Sequence, residues 1–155
     1  IMEPELLLEI LAQVLEYNGE YTSQILFDSG FFIGQKIYRQ LNNQQGLSAS
    51  ERIALFIQSE EKKKQGKYTL VEFDQEQKKV LCQIDNSPYA RPISNFITGC
   101  ELVRGKLAGF FTLLFKDEVE CSQISCQVDE PKDMGKGCLF SIKGIGSKQE
   151  DIWTW

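Results

Sequence analysis

Apolar residues recur at two periods along this chain, and the changes of period mark its elements. Leu7, Leu8, Leu11, Val14 and Leu15 repeat at helical spacing after Pro4, which suits a first helical turn, and Asn18-Gly19 supplies a stop. A second helix is predicted over about 22–41. One face carries Leu26, Gly30, Ile33, Ile37 and Leu41, with Phe27, Phe31, Gly34 and Tyr38 beside them. That apolar sector is wide enough to be buried on two sides. A third helix, about 49–63, begins after Ser48 and ends near Gly66. The period then drops to two. Thr69, Val71 and Phe73 alternate with other residues on one strand face, a polar turn follows over 74–79, and 80–84 completes a hairpin. Asn86-Ser87-Pro88 and Pro92 break the chain. A fourth helix is predicted over about 94–115, with Ile93, Phe96, Ile97, Cys100, Val103, Leu107, Phe110, Phe111 and Leu114 in its stripe. Strands near 119–128 and 138–143 flank a polar loop. In the first of them, alternation aims Ile124, Cys126 and Val128 at the core and Cys121 away from it.

Helices, hairpin, helix, hairpin is the order of an α+β domain, with helices packed on an antiparallel sheet. The 155 residues suffice for one domain with a real core, over 1–155. Two helices share a further device. The second carries Gly30 and Gly34, and the fourth carries Gly105, Ala108 and Gly109. Residues four apart share a helix face, and glycine inside a helix costs on the order of 1 kcal/mol against alanine. Each glycine therefore needs a compensating contact, and close packing of the second helix on the fourth, glycine face to glycine face, would provide it.

Composition narrows the function classes. The net charge of −5 argues against a nucleic-acid partner. Lys62-Lys63-Lys64 and Lys67 read as a solvated helix end. No apolar run approaches the roughly 20 residues that span a bilayer, and the acidic first helix is unlike a secretory signal. With five cysteines and no dense framework, a cytoplasmic protein with reduced thiols is expected. Histidine is absent, which excludes Ser-His and Cys-His nucleophile pairs and imidazole metal ligands. Gly135-x-Gly137 and Gly144-x-Gly146 lack the strand-to-helix context of a dinucleotide loop. Glu118 and Glu120 share a strand face, with nothing in the sequence to tune them.

Asn86-Ser87-Pro88, Cys100 near the start of a glycine-spotted helix, Leu107-Ala108-Gly109-Phe110, Val119-Glu120, Cys126 and Gly137-Cys138-Leu139-Phe140-Ser141-Ile142 together resemble the vinyl-4-reductase (4VR) domain family. Gly30-Phe31-Phe32-Ile33-Gly34 fits that family's N-terminal half. The resemblance covers about residues 20–144 and leaves 145–155 as a tail. It implies a fold related to the subunits of transport particles (TRAPP), which are α+β and tend to dimerise through helices. It further implies kinship with sensing domains of regulators that bind aromatic hydrocarbons, and with proteins linked to bacteriochlorophyll synthesis. In the aromatic-sensing members a structural zinc is held by three cysteines and a glutamate. Cys100, Cys126 and Cys138 fall on the cysteine positions. The glutamate position is Gln123 here, and the Cys126–Cys138 interval is longer than in those members. A neutral amide oxygen competes poorly with thiolate or carboxylate for zinc.

The candidate residues admit more than one reading. The cysteines could form a zinc site completed by Cys121, Glu120, Asp129, Glu130 or water, could be buried structural thiols, or could contain a redox pair. Of ten phenylalanines, Phe27, Phe31, Phe32, Phe96, Phe110 and Phe111 could line a ligand pocket or simply pack the core. The function expected is a non-enzymatic domain that binds a hydrophobic aromatic or tetrapyrrole-like ligand as carrier, sensor or assembly factor. The alternatives are a homodimeric scaffold and a tetrapyrrole vinyl reductase with an external electron donor. Trp153 and Trp155, on the terminal tail, could dock on the domain or on a neighbour.

Overall fold

The computed structural model describes residues 3–16, 21–94, 97–126 and 137–146. Its elements are α1 (Pro4–Glu16), α2 (Thr22–Asn42), α3 (Ala49–Lys62), β1 (Lys67–Asp74), β2 (Lys79–Asp85), β3 (Pro92–Ser94), β4 (Ile97–Thr98), α4 (Cys100–Phe115), β5 (Val119–Ser125) and β6 (Cys138–Gly144). The α+β class expected from the pattern is the one observed, with helices on a four-stranded antiparallel sheet of order β1-β2-β6-β5. The two hairpins become one sheet through β2 and β6, where Cys82 pairs with Phe140 and Ile84 with Cys138.

Local signals explain the helix starts. Ser48 caps α3 in a reciprocal box: its Oγ accepts the Glu51 N–H at 3.1 Å, and its own N–H donates to Glu51 Oε1 at 3.3 Å. At α4 the Thr98 Oγ1 accepts the Cys100 N–H at 3.2 Å. α4 lies between α2 on one side and β5 and β6 on the other. Leu102, Val103, Leu107, Phe110 and Phe111 are all buried there. The helix buried on two sides is therefore α4 and not, as the pattern suggested, α2, whose Phe32 is 62% exposed.

The glycine contact is present. A Cβ on Gly30 would overlap the Leu102 carbonyl, and one on Gly34 would overlap the Lys106 carbonyl. Reciprocally, Gly105 abuts the Phe27 carbonyl and Gly109 the Phe31 carbonyl. Backbone lies against backbone along the whole α2–α4 seam.

Three further sequence expectations are corrected. β1 slips register between Leu70 and Glu72, so Val71 is an extra residue. It is 52% exposed, while Tyr68, Leu70 and Phe73 turn inward. β5 slips in the same way between Gln123 and Ser125. Ile124 is thrown outward, 59% exposed, and Cys121 is buried rather than solvent-facing. Cys126 is buried as expected, and Val128 lies outside the described residues. Finally, α4 begins at Cys100, not near 94, because Pro92–Ser94 and Ile97–Thr98 pair antiparallel as β3 and β4. An apolar spacing of four cannot distinguish one helical turn from two short strands.

Candidate functional site

Cys100 opens α4, Cys126 follows β5 and Cys138 opens β6. Their sulfurs form a buried triangle with sides of 3.5 Å (Cys100–Cys126), 3.6 Å (Cys126–Cys138) and 3.8 Å (Cys100–Cys138). The entry to β6 is fixed by the Gly137 N–H, which donates to Asp85 Oδ1 at 2.9 Å. The bulge at Ile124 restores the inward phase for Cys126. Sulfurs about 2.3 Å from a tetrahedral zinc stand about 3.8 Å apart, so the triangle has the dimensions of one face of a zinc–thiolate site.

Electrostatics separate these thiols from the other two. Hydrogen bonding to Cys138 is the main influence that brings the Cys100 thiol down to about 6, opposed by burial and assisted by Thr98, Gln123 and Cys126. Burial pushes Cys82 and Cys121 up to about 12. Thiolate, the metal-binding form, is favoured at Cys100 and opposed at the two isolated cysteines. Gln123 stands at the cluster, hydrogen-bonded to Cys100, with its amide nitrogen donating to the Ser125 carbonyl at 3.3 Å. Neither Cys121 nor Glu120 joins the group; the former is in the core and the latter exposed. Asp129 and Glu130 lie outside the described residues. The donor set fits a borderline-soft ion held by Cys100, Cys126 and Cys138. Such an ion would supply a cross-link between α4, β5 and β6.

A second site lies between α2, the end of α3 and the first turns of α4. It is a cavity of about 330 Å³. Leu7, Ile33, Ile37 and Leu102 form apolar walls; Glu60, Gln65, Tyr89 and Lys106 form a polar side. Lys36, Gln40 and Lys63 line it from exposed positions. Lys106 Nζ is 2.8 Å from Glu60 Oε2, with side chains only 5% and 2% exposed. The same ammonium donates to Gln65 Oε1 at 3.4 Å and stands 5.5 Å from the centre of the Tyr89 ring. Tyr68 O–H donates to Glu60 Oε2 at 3.4 Å. Burial, reinforced by the Glu60 charge, raises the Tyr68 phenol well above its ordinary value; burial also raises Tyr89, against a hydrogen bond to Gln65. Both keep their protons at neutral pH and can donate.

Sequence reasoning missed this cavity. Its signal was available: Lys106 interrupts the apolar run of α4, and Glu60 falls on the stripe of Ile53, Phe56 and Ile57 in α3. A buried ion pair is a poor source of stability, because desolvation offsets the attraction. Charges on two buried faces therefore point to a site.

The phenylalanines singled out from sequence lie elsewhere. Phe110 stacks on Phe56 with ring centroids 4.4 Å apart and meets Tyr38 edge-on at 5.6 Å. Phe111 packs on Phe110 and Phe115. Phe27 lies under the Arg104 guanidinium, 4.4 Å from its ring centre, and Phe31 lies 6.1 Å from Phe27. Phe96 is outside the described residues. Phe27, Phe31, Phe110 and Phe111 belong to the core and the α2–α4 seam, Phe32 is exposed, and none of the five lines the cavity.

No family model and no curated protein matches the sequence. Solved structures do match. The phenol-responsive sensory domain of the transcription activator PoxR, in its crystal structure with phenol, aligns with a TM-score of 0.76 at 10% identity. The alignment covers 97% of this chain and 79% of that one. A trafficking protein particle complex subunit 3 from Naegleria fowleri, covalently bound to palmitic acid, aligns with a TM-score of 0.59 at 14% identity, over 91% of this chain and 94% of that one. The fold is shared. At these identities the likeness is one of fold, and it is the architecture that the 4VR resemblance implied. Among the described residues, no helix is long and apolar enough to cross a membrane.

Proposed function

We propose that this chain is a non-enzymatic sensory domain for a small hydrophobic molecule, with the cavity between α2, α3 and α4 as its binding site. The observation that carries the reading is the cavity itself: apolar walls with a few convergent polar groups, the usual make-up of a ligand pocket. Its fold is shared with a phenol-responsive sensory domain, which supports the same reading. At about 30 Å³ per water-sized atom, 330 Å³ admits a ligand on the order of ten non-hydrogen atoms. That favours a single-ring molecule or a short chain over a tetrapyrrole, whose four rings exceed the space. Titration calorimetry of the full chain with phenol, cresol and indole tests it. Saturable binding is expected, weakened when Ile33→Trp fills the cavity. No heat and no melting shift with these compounds, or with aromatic and aliphatic acids and alcohols of the same size, would overturn the reading.

The cysteine triangle is assigned the role of a structural zinc site, supported by its sulfur spacing and by the lowered Cys100 thiol. We place the protein in the cytoplasm, in keeping with five buried cysteines, none of them in a disulfide. A homodimer through the first helices is a second proposal. Leu6 and Ile10, one turn apart on α1, and Phe32 on α2 are exposed and would be covered by a second copy. Sedimentation of wild type and Phe32→Glu tests this: a dimer that the substitution dissociates is expected, and a wild-type monomer at micromolar concentration would refute it.

A further inference from the structure

We infer that the cavity selects molecules whose apolar body ends in a carboxylate, recognised by Lys106 at the buried end and by Lys36 and Lys63 at the rim. The inference rests on the reading of the cavity as a ligand site and adds the chemical class of the ligand.

The first support is charge. Three ammonium groups and one carboxylate, Glu60, line the cavity, an excess of two positive charges in a chain whose net charge is −5. Lys106 is paired with Glu60. Among the described residues, Lys36 and Lys63 have no ion-pair partner. The protein leaves its rim lysines uncompensated beside an apolar, low-dielectric wall, where a ligand anion is held more strongly than in open water.

The second support is the balance of donors and acceptors. A lysine ammonium has three N–H donors and no acceptor. Two of those on Lys106 are used, on Glu60 and Gln65, and the group also faces the Tyr89 ring. The Tyr89 hydroxyl remains protonated. With the rim lysines added, donors outnumber acceptors on the polar side. The complementary head group accepts through two oxygens and donates nothing, which is a carboxylate. A phenol or alcohol offers one oxygen and brings a proton that itself needs an acceptor. Glu60 acts as a positioning residue: it compensates Lys106 and is in turn held by the Tyr68 O–H. Leu7, Ile33, Ile37 and Leu102 would bury the apolar body.

The test is calorimetric titration of the full chain with two matched pairs, benzoate against benzyl alcohol and octanoate against octanol, with phenol alongside. Each acid is expected to bind about tenfold or more tightly than its alcohol, the gain of a charge-assisted contact over a neutral one. The two pairs distinguish an aromatic from an aliphatic body. Alcohols that bind as well as acids would overturn this inference and leave the ligand-site reading standing. Failure of all five compounds would overturn both. Lys36→Ala/Lys63→Ala, at exposed positions, should reduce the acid-to-alcohol ratio severalfold. Glu60→Gln/Lys106→Met removes the pair as a unit, retains an acceptor for Tyr68, and should abolish the preference. If that variant fails to fold, the rim variant decides, and an unchanged acid preference there refutes the assignment.

Discussion

Gly34 lies where α2 crosses α4, and its replacement by alanine sets two rules against each other. In an ordinary exposed helix, glycine to alanine stabilises by about 1 kcal/mol. At Gly34 the new Cβ would overlap the Lys106 carbonyl oxygen and stand 2.8 Å from the Phe110 nitrogen. These are backbone atoms of a helix buried on both sides, so no rotamer change relieves them. Overpacking at a tight contact costs about 1–3 kcal/mol, and rigid neighbours place this site at the upper end. After the propensity gain is subtracted, the net loss should be about 2 kcal/mol. For a domain of this size that lowers Tm by about 4–8 °C. Gly109→Ala, which meets the Phe31 carbonyl, should act in the same sense. Ser29→Ala, exposed on the same helix, is the control and should be neutral or slightly stabilising. Far-UV circular dichroism through thermal and urea unfolding measures all three. A Gly34→Ala melting temperature at or above wild type would refute the backbone-to-backbone contact.

Other outcomes follow from the same geometry. Lys106→Met alone leaves Glu60 buried without its cation and should destabilise by about 3–5 kcal/mol, whereas Glu60→Gln/Lys106→Met should come within about 1–2 kcal/mol of wild type; urea unfolding of both gives the difference. Phe110→Ala removes a fully buried ring stacked on Phe56 and should cost about 3–5 kcal/mol, clearly more than Phe27→Ala at its half-buried position, as read from denaturant midpoints. Purified protein should carry about one zinc per chain by elemental analysis; Cys138→Ser should remove it, and a strong chelator should lower Tm of wild type but not of the variant.

Much of the architecture was legible because it is local. Periodicity in α2, α3 and α4 marks helices wherever an apolar stripe must face a core, Ser48 marks the start of α3, and the break at Asn86-Ser87-Pro88 marks the end of β2. The paired glycines disclosed a specific helix–helix contact, since a residue that weakens a helix persists where only a missing side chain allows close approach. Register was not legible. The bulges at Val71 and Ile124 each reverse the inward and outward faces beyond them, and nothing in Tyr-Thr-Leu-Val-Glu-Phe or Cys-Ser-Gln-Ile-Ser-Cys shows where the extra residue falls. The start of α4 was misplaced for a related reason, because Ile93 and Ile97 suit a helical turn and a small hairpin alike.

The site divides along the same line. By itself the sequence determined the order of the four helices and the four strands of the main sheet, the absence of histidine, the α2–α4 glycine seam and the three cysteines to compare. Tertiary structure decided that those cysteines meet within 3.8 Å. It also sent the phenylalanines to the core, and it brought Glu60 of α3 to 2.8 Å from Lys106 of α4. The physical reason is separation along the chain. A stripe, a cap or a glycine pair is set by neighbours a turn away, but a cavity is the space left where α2, α3 and α4 fail to fill one another, and only the assembled packing fixes its place.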